Sequence, residues 1–443
     1  MTRERHVVEQ RYWLQTLGCP KNRVDSDKLD GVLVAEGYCP ATSPEEADLV
    51  VVNTCAFIEE ARRESIETVL DLDRRRRGGA RLVVTGCMAE RYGDELADAL
   101  PEVDLVAGFG AALVPQRTAV ALGRRSAPGR PVPSFDLLEL PRPAMEAAWA
   151  YLKAAEGCDR ACGFCAIPSF RGAQRSRSIR DLVVESEALA AGGVKEIVIV
   201  AQDLASYGRD RSTRRARRLE GDGAFGDGIV ELVRSVAAIV PRTRLLYLYP
   251  SSLTDPVVDA ILATGVPYFD LSLQHVARPL LARMRRWGDQ DRFLERVRRI
   301  RTLDALATFR SSFILGYPGE TEADHDRLLG FLAEAELDWA GFFLFSAEEG
   351  TLAYDLGDQV DRSLALERMQ ECTELQDRIT AGRRDRLVGE RRSVLVDAAG
   401  VGRTVHEAPE IDGIVRIPSG AGIGTMADMT IVESLGVDLV AVP

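Results

Sequence analysis

Runs of apolar residues alternate with helix-period segments through the first hundred positions. Tyr12–Thr16 reads as a strand, followed by a helix from about Val24 to Glu36. Leu49–Asn53 and Arg81–Thr85 repeat the strand pattern, with helices near 58–72 and 89–100. Short, continuously apolar strands separated by amphipathic helices predict a parallel sheet. The alternation continues through the middle of the chain, where Glu196–Asp203, Leu245–Pro250, Tyr268–His275 and Phe309–Gly316 each run from apolar residues into polar ones. That series predicts a partial (β/α) barrel. From about Arg392 the pattern changes to short strands (Ser393–Asp397, Gly413–Ile417, Met429–Val432) with intervening glycines, which predicts a small antiparallel β-barrel. A stretch rich in Pro, Gly and Arg between Leu122 and Met145 reads as a linker.

Composition narrows the class. A chain of 443 residues with 46% hydrophobic and 28% charged positions is globular, multidomain and not disordered. It carries no apolar run near the roughly 18 residues of a membrane helix, and its start shows no signal-peptide core. It is expected to be cytoplasmic, with no membrane partner. The net charge of −12 argues against generic polyanion binding. Only four of the 56 cationic residues are lysines (Lys21, Lys28, Lys153 and Lys195), which reads as codon bias.

The eight cysteines carry the chemistry. Cys19, Cys55 and Cys87 each follow one of the first strands, at steps of 36 and 32 residues, about one strand–helix–strand unit. Loops after parallel strands share one sheet edge, where ligands bind. Three thiols at one phase of the repeat are the unexpected arrangement, and three unrelated turn residues the bland one. Converging thiolates suit an iron–sulfur cluster with one iron lacking a protein ligand. The second set, Cys158, Cys162 and Cys165, has the spacing Cys-x3-Cys-x2-Cys in a short loop after a strand. It too fits three corners of a four-iron cube; zinc sites pair their ligands differently. Cys372, in a helical run, reads as packing, and Cys39, before Pro40, has no assigned role.

The segment Gly157–Gly172 resembles the radical S-adenosylmethionine (SAM) enzymes and, more closely, the methylthiotransferases; so do Gly18–Asn22, Asn53–Ile58 and Thr85–Met88. Ala166–Gly172 and Ala408–Gly413 resemble the RimO branch, which modifies a ribosomal protein, whereas the tRNA branch (MiaB-like) usually has Val-Pro-Tyr-type residues at the first of these sites. The resemblance spans nearly the whole chain. It implies an N-terminal methylthiotransferase domain over 9–122, a linker over 123–143, a radical SAM core over 144–375 and a TRAM domain over 376–443. It also implies two [4Fe-4S] clusters, one on each cysteine triad, with SAM bound at the open iron of the second. Phe164 would pack beside the adenine, and Gln202, Gln274 and Arg310 would by position either contact SAM or simply cap their strands. No side chain need act as a general base, and His275 reads as a satisfied buried histidine. The implied reaction is methylthiolation of an aspartate β-carbon in small-subunit ribosomal protein twelve, free or in the ribosome, with electrons from a flavodoxin- or ferredoxin-type donor.

The tail bears on the choice of branch. Residues 390–443 hold four arginines against eight acidic residues, a balance that repels phosphates and attracts a basic protein. A tRNA partner is disfavoured, and tRNA-adenosine methylthiolation is the nearest rival. A radical SAM enzyme of another reaction and a non-catalytic metal-stapled binding protein are the others. The arginine-rich stretch Arg209–Arg218 reads as a solvated insertion, since no aromatic residues interleave it for base stacking.

Overall fold

The computed structural model describes residues 10–109, 137, 140, 142–143, 147–211 and 228–443. Most of the linker over 123–143, and the arginine-rich stretch beyond Arg211, lie outside the described residues. The chain forms two compact units: residues 1–143 with 156–159 and 165–173, and residues 144–155, 160–164 and 174–443.

The first unit holds a five-stranded sheet of β1 (Arg11–Thr16), β2 (Cys39–Pro40), β3 (Leu49–Thr54), β4 (Arg81–Gly86) and β5 (Leu105–Val106), in the order β2-β1-β3-β4-β5. Every neighbouring pair is parallel. Strand order reverses between β1 and β3, the position at which open α/β sheets bind their ligands. All six residues of β3 are buried, which is why it carries no polar alternation. The helices are α1 (Pro20–Ala35), α2 (Glu59–Arg75) and α3 (Cys87–Ala99). Helix α1 opens on Pro20, whose fixed φ suits a first helical position, so Cys19 is its N-cap residue. A fourth helix, α4 (Ile167–Arg171), belongs to the same unit although it follows the second cysteine loop in sequence.

The second unit begins with β6 (Trp149–Lys153). Two short strands, β7 (Ala155–Glu156) and β8 (Arg175–Ser176), flank the cysteine loop and α4 in sequence. Then come α5 (Ile179–Ala191), β9 (Glu196–Val200), α6 (Gly228–Ala237), β10 (Arg242–Leu245), α7 (Asp255–Ala263) and β11 (Tyr268–Gln274). Helices α8 (Arg278–Arg283) and α9 (Gln290–Leu303) lead to β12 (Thr308–Leu315), α10 (Glu322–Ala335), β13 (Trp339–Leu344) and α11 (Arg362–Asp385). The parallel sheets β10-β9-β6 and β11-β12-β13 are joined by a bridge between Leu248 and Leu271. The six strands thus form an open partial barrel, as the alternation predicts.

One strand lies earlier than its apolar run implies. The expected strand over 245–250 is β10, Arg242–Leu245, and the chain leaves the sheet afterwards, with Tyr247 at φ +65°. Arg242 and Arg244 hide β10 from a hydrophobicity pattern because their buried guanidinium groups meet the terminal domain. That domain is a closed barrel of β14 (Arg391–Ala398), β15 (Val401–Arg403), β16 (Val415–Arg416), β17 (Met426–Leu435) and β18 (Asp438–Val442), ordered β14-β15-β16-β18-β17. It packs on the amino ends of the large barrel's strands. Arg242 donates to the carbonyls of Arg403 and Ser393, and Arg244 to that of Val405. The Tyr268 hydroxyl donates to Asp412 at 2.6 Å, Tyr151 to the Pro409 carbonyl at 3.1 Å, and the Trp339 indole to the His406 carbonyl at 2.9 Å.

Candidate iron–sulfur sites

The first site lies where β1, β3 and β4 end. Gly18 has φ +89°, and a Cβ there would stand 2.8 Å from the Cys55 Cβ. Gly86 has φ +92°, and a Cβ would stand 2.3 Å from Asn53 Oδ1. Only glycine lets these strand ends approach so closely. The loops are then tied together: Asn22 donates from Nδ2 to the carbonyls of Leu17 and Thr54, both at 3.0 Å. Asn53 donates to the Asn22 carbonyl and to Ser26, both at 2.9 Å. Ser65 bonds both the amide and the carbonyl of Cys55 at 3.1 Å.

The three thiols differ electrostatically. Burial would push Cys19 up, but Lys21, the Asn22 amide and Arg171 outweigh it and hold the thiol below its ordinary range. Burial and the neighbouring sulfurs of Cys19 and Cys87 push Cys55 up to about 12. Burial also raises Cys87, against the opposing pull of Arg171. Among the described residues no three such side chains gather tightly enough to chelate a single ion. Three sulfurs within electrostatic reach, beside Lys21 and Arg171, fit a multi-iron cluster, whose anionic sulfur core favours nearby cations.

Arg171 is the residue that sequence reasoning missed here. It ends α4, is buried, and donates from Nη2 to the Cys87 sulfur at 3.0 Å and to Asn22 Oδ1 at 2.8 Å. Its Nη1 faces Asp25 at 3.1 Å and Glu156 at 2.9 Å. The family-like run Ser169-Phe170-Arg171-Gly172 marks the position, but the partners that give it a role are 84 to 149 positions away in sequence.

The second triad lies in the loop after β7, and its three cysteines are all partly exposed. Gly157 sits at φ +78°, and a Cβ there would lie 2.2 Å from the Ala173 carbonyl oxygen. The Cys158 amide donates to the Gly172 carbonyl at 3.0 Å. Gly163, between Cys162 and Phe164, is clamped: its amide donates to the Met284 carbonyl at 2.9 Å, and its carbonyl accepts from Ala353 at 2.7 Å. The Cys162 sulfur accepts from Arg286 Nη1 at 3.3 Å. The Tyr249 ring carries Arg286 at 4.2 Å and Arg160 at 3.8 Å from its centroid. Arg160 in turn pairs with Asp203 at 2.6 Å.

The cofactor contacts expected from sequence divide. Phe164 packs against the large core. Gln202 follows β9 and Gln274 ends β11 with φ +71°, both at the carboxyl edge. Arg310 is elsewhere: it is the third residue of β12, near the amino end, paired with Asp270 at 3.1 Å and Asp412 at 3.6 Å. Those carboxylates engage it on the terminal-barrel side, so the position that suggested a SAM contact belongs to a domain joint. His275 is buried, accepts the Ala277 amide on Nδ1, and is pushed down to about 4 by that burial. In the turn after β12, Gly316 and Gly319 take positive φ, and Glu320 accepts the Gly316 amide at 2.6 Å while pairing with Arg368.

The fold and the two thiol sites define a radical SAM enzyme built on a parallel-sheet domain and a terminal barrel. Residues 11–108 match the model for uncharacterized protein family UPF0004, 152–332 the radical SAM superfamily and 388–443 the TRAM domain. The chain is 40% identical to the ribosomal protein uS12 methylthiotransferase RimO of Streptomyces coelicolor, over 97% of this chain and 96% of the relative. It is 38% identical to that of Geobacter sulfurreducens, over 98% of each. The chain therefore belongs to the RimO family of methylthiotransferases. Among solved structures, the radical SAM methyltransferase TsrM of Kitasatospora setae, with tryptophan and a SAM analogue bound, covers 75% of this chain and 73% of its own, at TM-score 0.50 and 15% identity. That likeness is one of fold.

Proposed function

We propose that this chain transfers a methylthio group to the β-carbon of an aspartate in ribosomal protein uS12. The observation that carries the reading is the presence of two three-cysteine sites, one at each set of strand ends, in a chain of this family. Cys19, Cys55 and Cys87 hold one [4Fe-4S] cluster; Cys158, Cys162 and Cys165 hold the other, with SAM. Bound there, these groups supply the radical chemistry that an unactivated C–H bond requires, since it has no proton acidic enough for a base to remove.

The protein's own residues then bind and orient. The clamp on Gly163 fixes the middle of the second loop, Phe164 would pack beside the adenine, and the Gln202 and Gln274 amides would serve SAM's polar groups. Gln274 is held in a backbone region that costs a non-glycine residue about 1–3 kcal/mol, a strain typical of functional positions. No histidine is needed as base, and the buried, neutral His275 does not supply one. For the domains we keep the sequence-based division, 9–122, 144–375 and 376–443 with a linker over 123–143, although 156–159 and 165–173, inside the second range, cluster with the first unit. Low-potential electrons come from a flavodoxin- or ferredoxin-type donor in the cytoplasm; among the described residues no helix is long and apolar enough to cross a membrane.

The terminal barrel favours a basic protein over tRNA, though less strongly than its composition implies. Asp397, Glu407 and Asp412 are engaged by Arg403, Arg384 and Arg310. The exposed charges of the barrel are Glu390, Glu410, Asp428 and Glu433 against Arg391 and Arg416. The test is to incubate reconstituted enzyme with SAM, reductant and sulfide, offering uS12 and tRNA together, and to locate the product by mass spectrometry. A methylthio group on the uS12 aspartate supports the reading; modified tRNA beside untouched uS12 overturns it.

A further inference from the structure

Arg171 does more than neutralise its neighbours. Its side chain is 3% exposed, and the guanidinium divides its donors between two functions. Nη1 faces the carboxylates of Asp25 and Glu156, while Nη2 meets the Cys87 sulfur and Asn22 Oδ1. The Phe109 ring lies 4.2 Å from the guanidinium carbon and shields it from water. An arginine serving only the two carboxylates would offer both nitrogens to them. Here the fork is turned so that one nitrogen donates to a sulfur proposed to ligate iron. Lysine, a single point donor, does not reproduce this geometry.

We propose that Arg171 sets the reduction potential of the cluster held by Cys19, Cys55 and Cys87, through its N–H···S bond to Cys87 and its buried positive charge. The inference rests on the cluster assignment made above. Reduction adds an electron to the cluster. A cation and a hydrogen bond to a ligating sulfur favour that added charge, and a water-poor surrounding strengthens both effects. Asp25 and Glu156 act in the opposite sense: they orient the guanidinium and offset part of its field. Arg171 is thus a positioning and tuning residue that works through Cys87.

The experiment uses full-length protein with Cys158, Cys162 and Cys165 all changed to Ala, so that only the first cluster remains. Iron content and an EPR-monitored redox titration are read for Arg171→Gln, Arg171→Lys and Asp25→Asn in that background. Arg171→Gln is expected to lower the potential, favouring the oxidised cluster at least tenfold, which is 59 mV for a one-electron couple. Arg171→Lys should shift it less in the same direction. Asp25→Asn should raise it, and this opposite sign decides the matter should Arg171→Gln fail to fold or load iron. Unchanged potentials in loaded Arg171→Gln, or in Asp25→Asn, overturn the inference. A parent triple variant that binds no iron overturns the cluster assignment itself, and the inference with it.

Discussion

Glu196, the first residue of β9, and Arg403, the last of β15, form an ion pair of 2.8 Å with side chains 0% and 3% exposed. Arg244 reaches the other oxygen of Glu196 at 2.7 Å, and Arg403 also pairs with Asp397 at 2.6 Å. Burial would raise the Glu196 carboxyl, but Arg403, Arg244 and Arg242 hold it at about 2. The terminal barrel is therefore mounted on the amino edge of the large barrel by a desolvated network, which leaves the carboxyl edge free of it. Removing one partner of such a pair leaves a buried charge and costs about 3–5 kcal/mol. Arg403→Met should lower the thermal midpoint by several degrees while the iron content of folded protein stays at the wild-type value. Loss of iron without loss of stability would contradict this placement.

The two loop glycines should respond unequally. Gly157→Ala drives a methyl to 2.2 Å from a backbone oxygen at positive φ, so the second loop cannot close. Gly163→Ala meets the Arg283 carbonyl oxygen and Tyr317 Oη only at 3.2 Å. Iron bound at the second site, counted in a Cys19/Cys55/Cys87→Ala background, should vanish in the first variant and persist in the second.

His406 gives the domain joint a pH dependence. It is buried against Thr308 at 2.7 Å, and burial pushes it from 6.5 down to about 4. The unfolded chain therefore binds a proton that the folded one refuses. Stability from this group is complete above pH 6.5 and falls as the pH drops toward 4. At pH 5 the loss is about 2 kcal/mol at one pKa unit per 1.4 kcal/mol. Urea denaturation of His406→Gln at pH 7 and pH 5 should show a smaller decline than wild type.

Cys372 is fully buried, and burial with nearby Glu320 and Glu371 pushes it up to about 12. Cys39, at the sheet's edge strand, lies outside both triads. Replacing both by alanine should leave about eight irons per chain, the content of two four-iron clusters. A drop to half would place one of them among the ligands.

Much of this is legible in sequence because local periodicity dictates it. The triad phasing at Cys19, Cys55 and Cys87 follows from strand–helix repeats, and the structure puts them at one sheet edge. What stays hidden depends on partners distant in sequence. Arg242 and Arg244 make β10 read as polar because they serve the terminal barrel. Arg310 reads as a carboxyl-edge ligand until Asp412 claims it. The lysine scarcity, which composition alone ascribes to codon bias, conceals a spatial pattern: Lys21, Lys28 and Lys153 are all buried. A compact ammonium, not a guanidinium, occupies those interior positions.

Different work for the two triads in one reaction is tested by replacing Cys19, Cys55 and Cys87 by alanine, supplying SAM, reductant, sulfide and uS12, and measuring 5′-deoxyadenosine and methylthiolated uS12 together. 5′-Deoxyadenosine should still form while methylthiolated uS12 does not. Methylthiolated uS12 from that variant would contradict it.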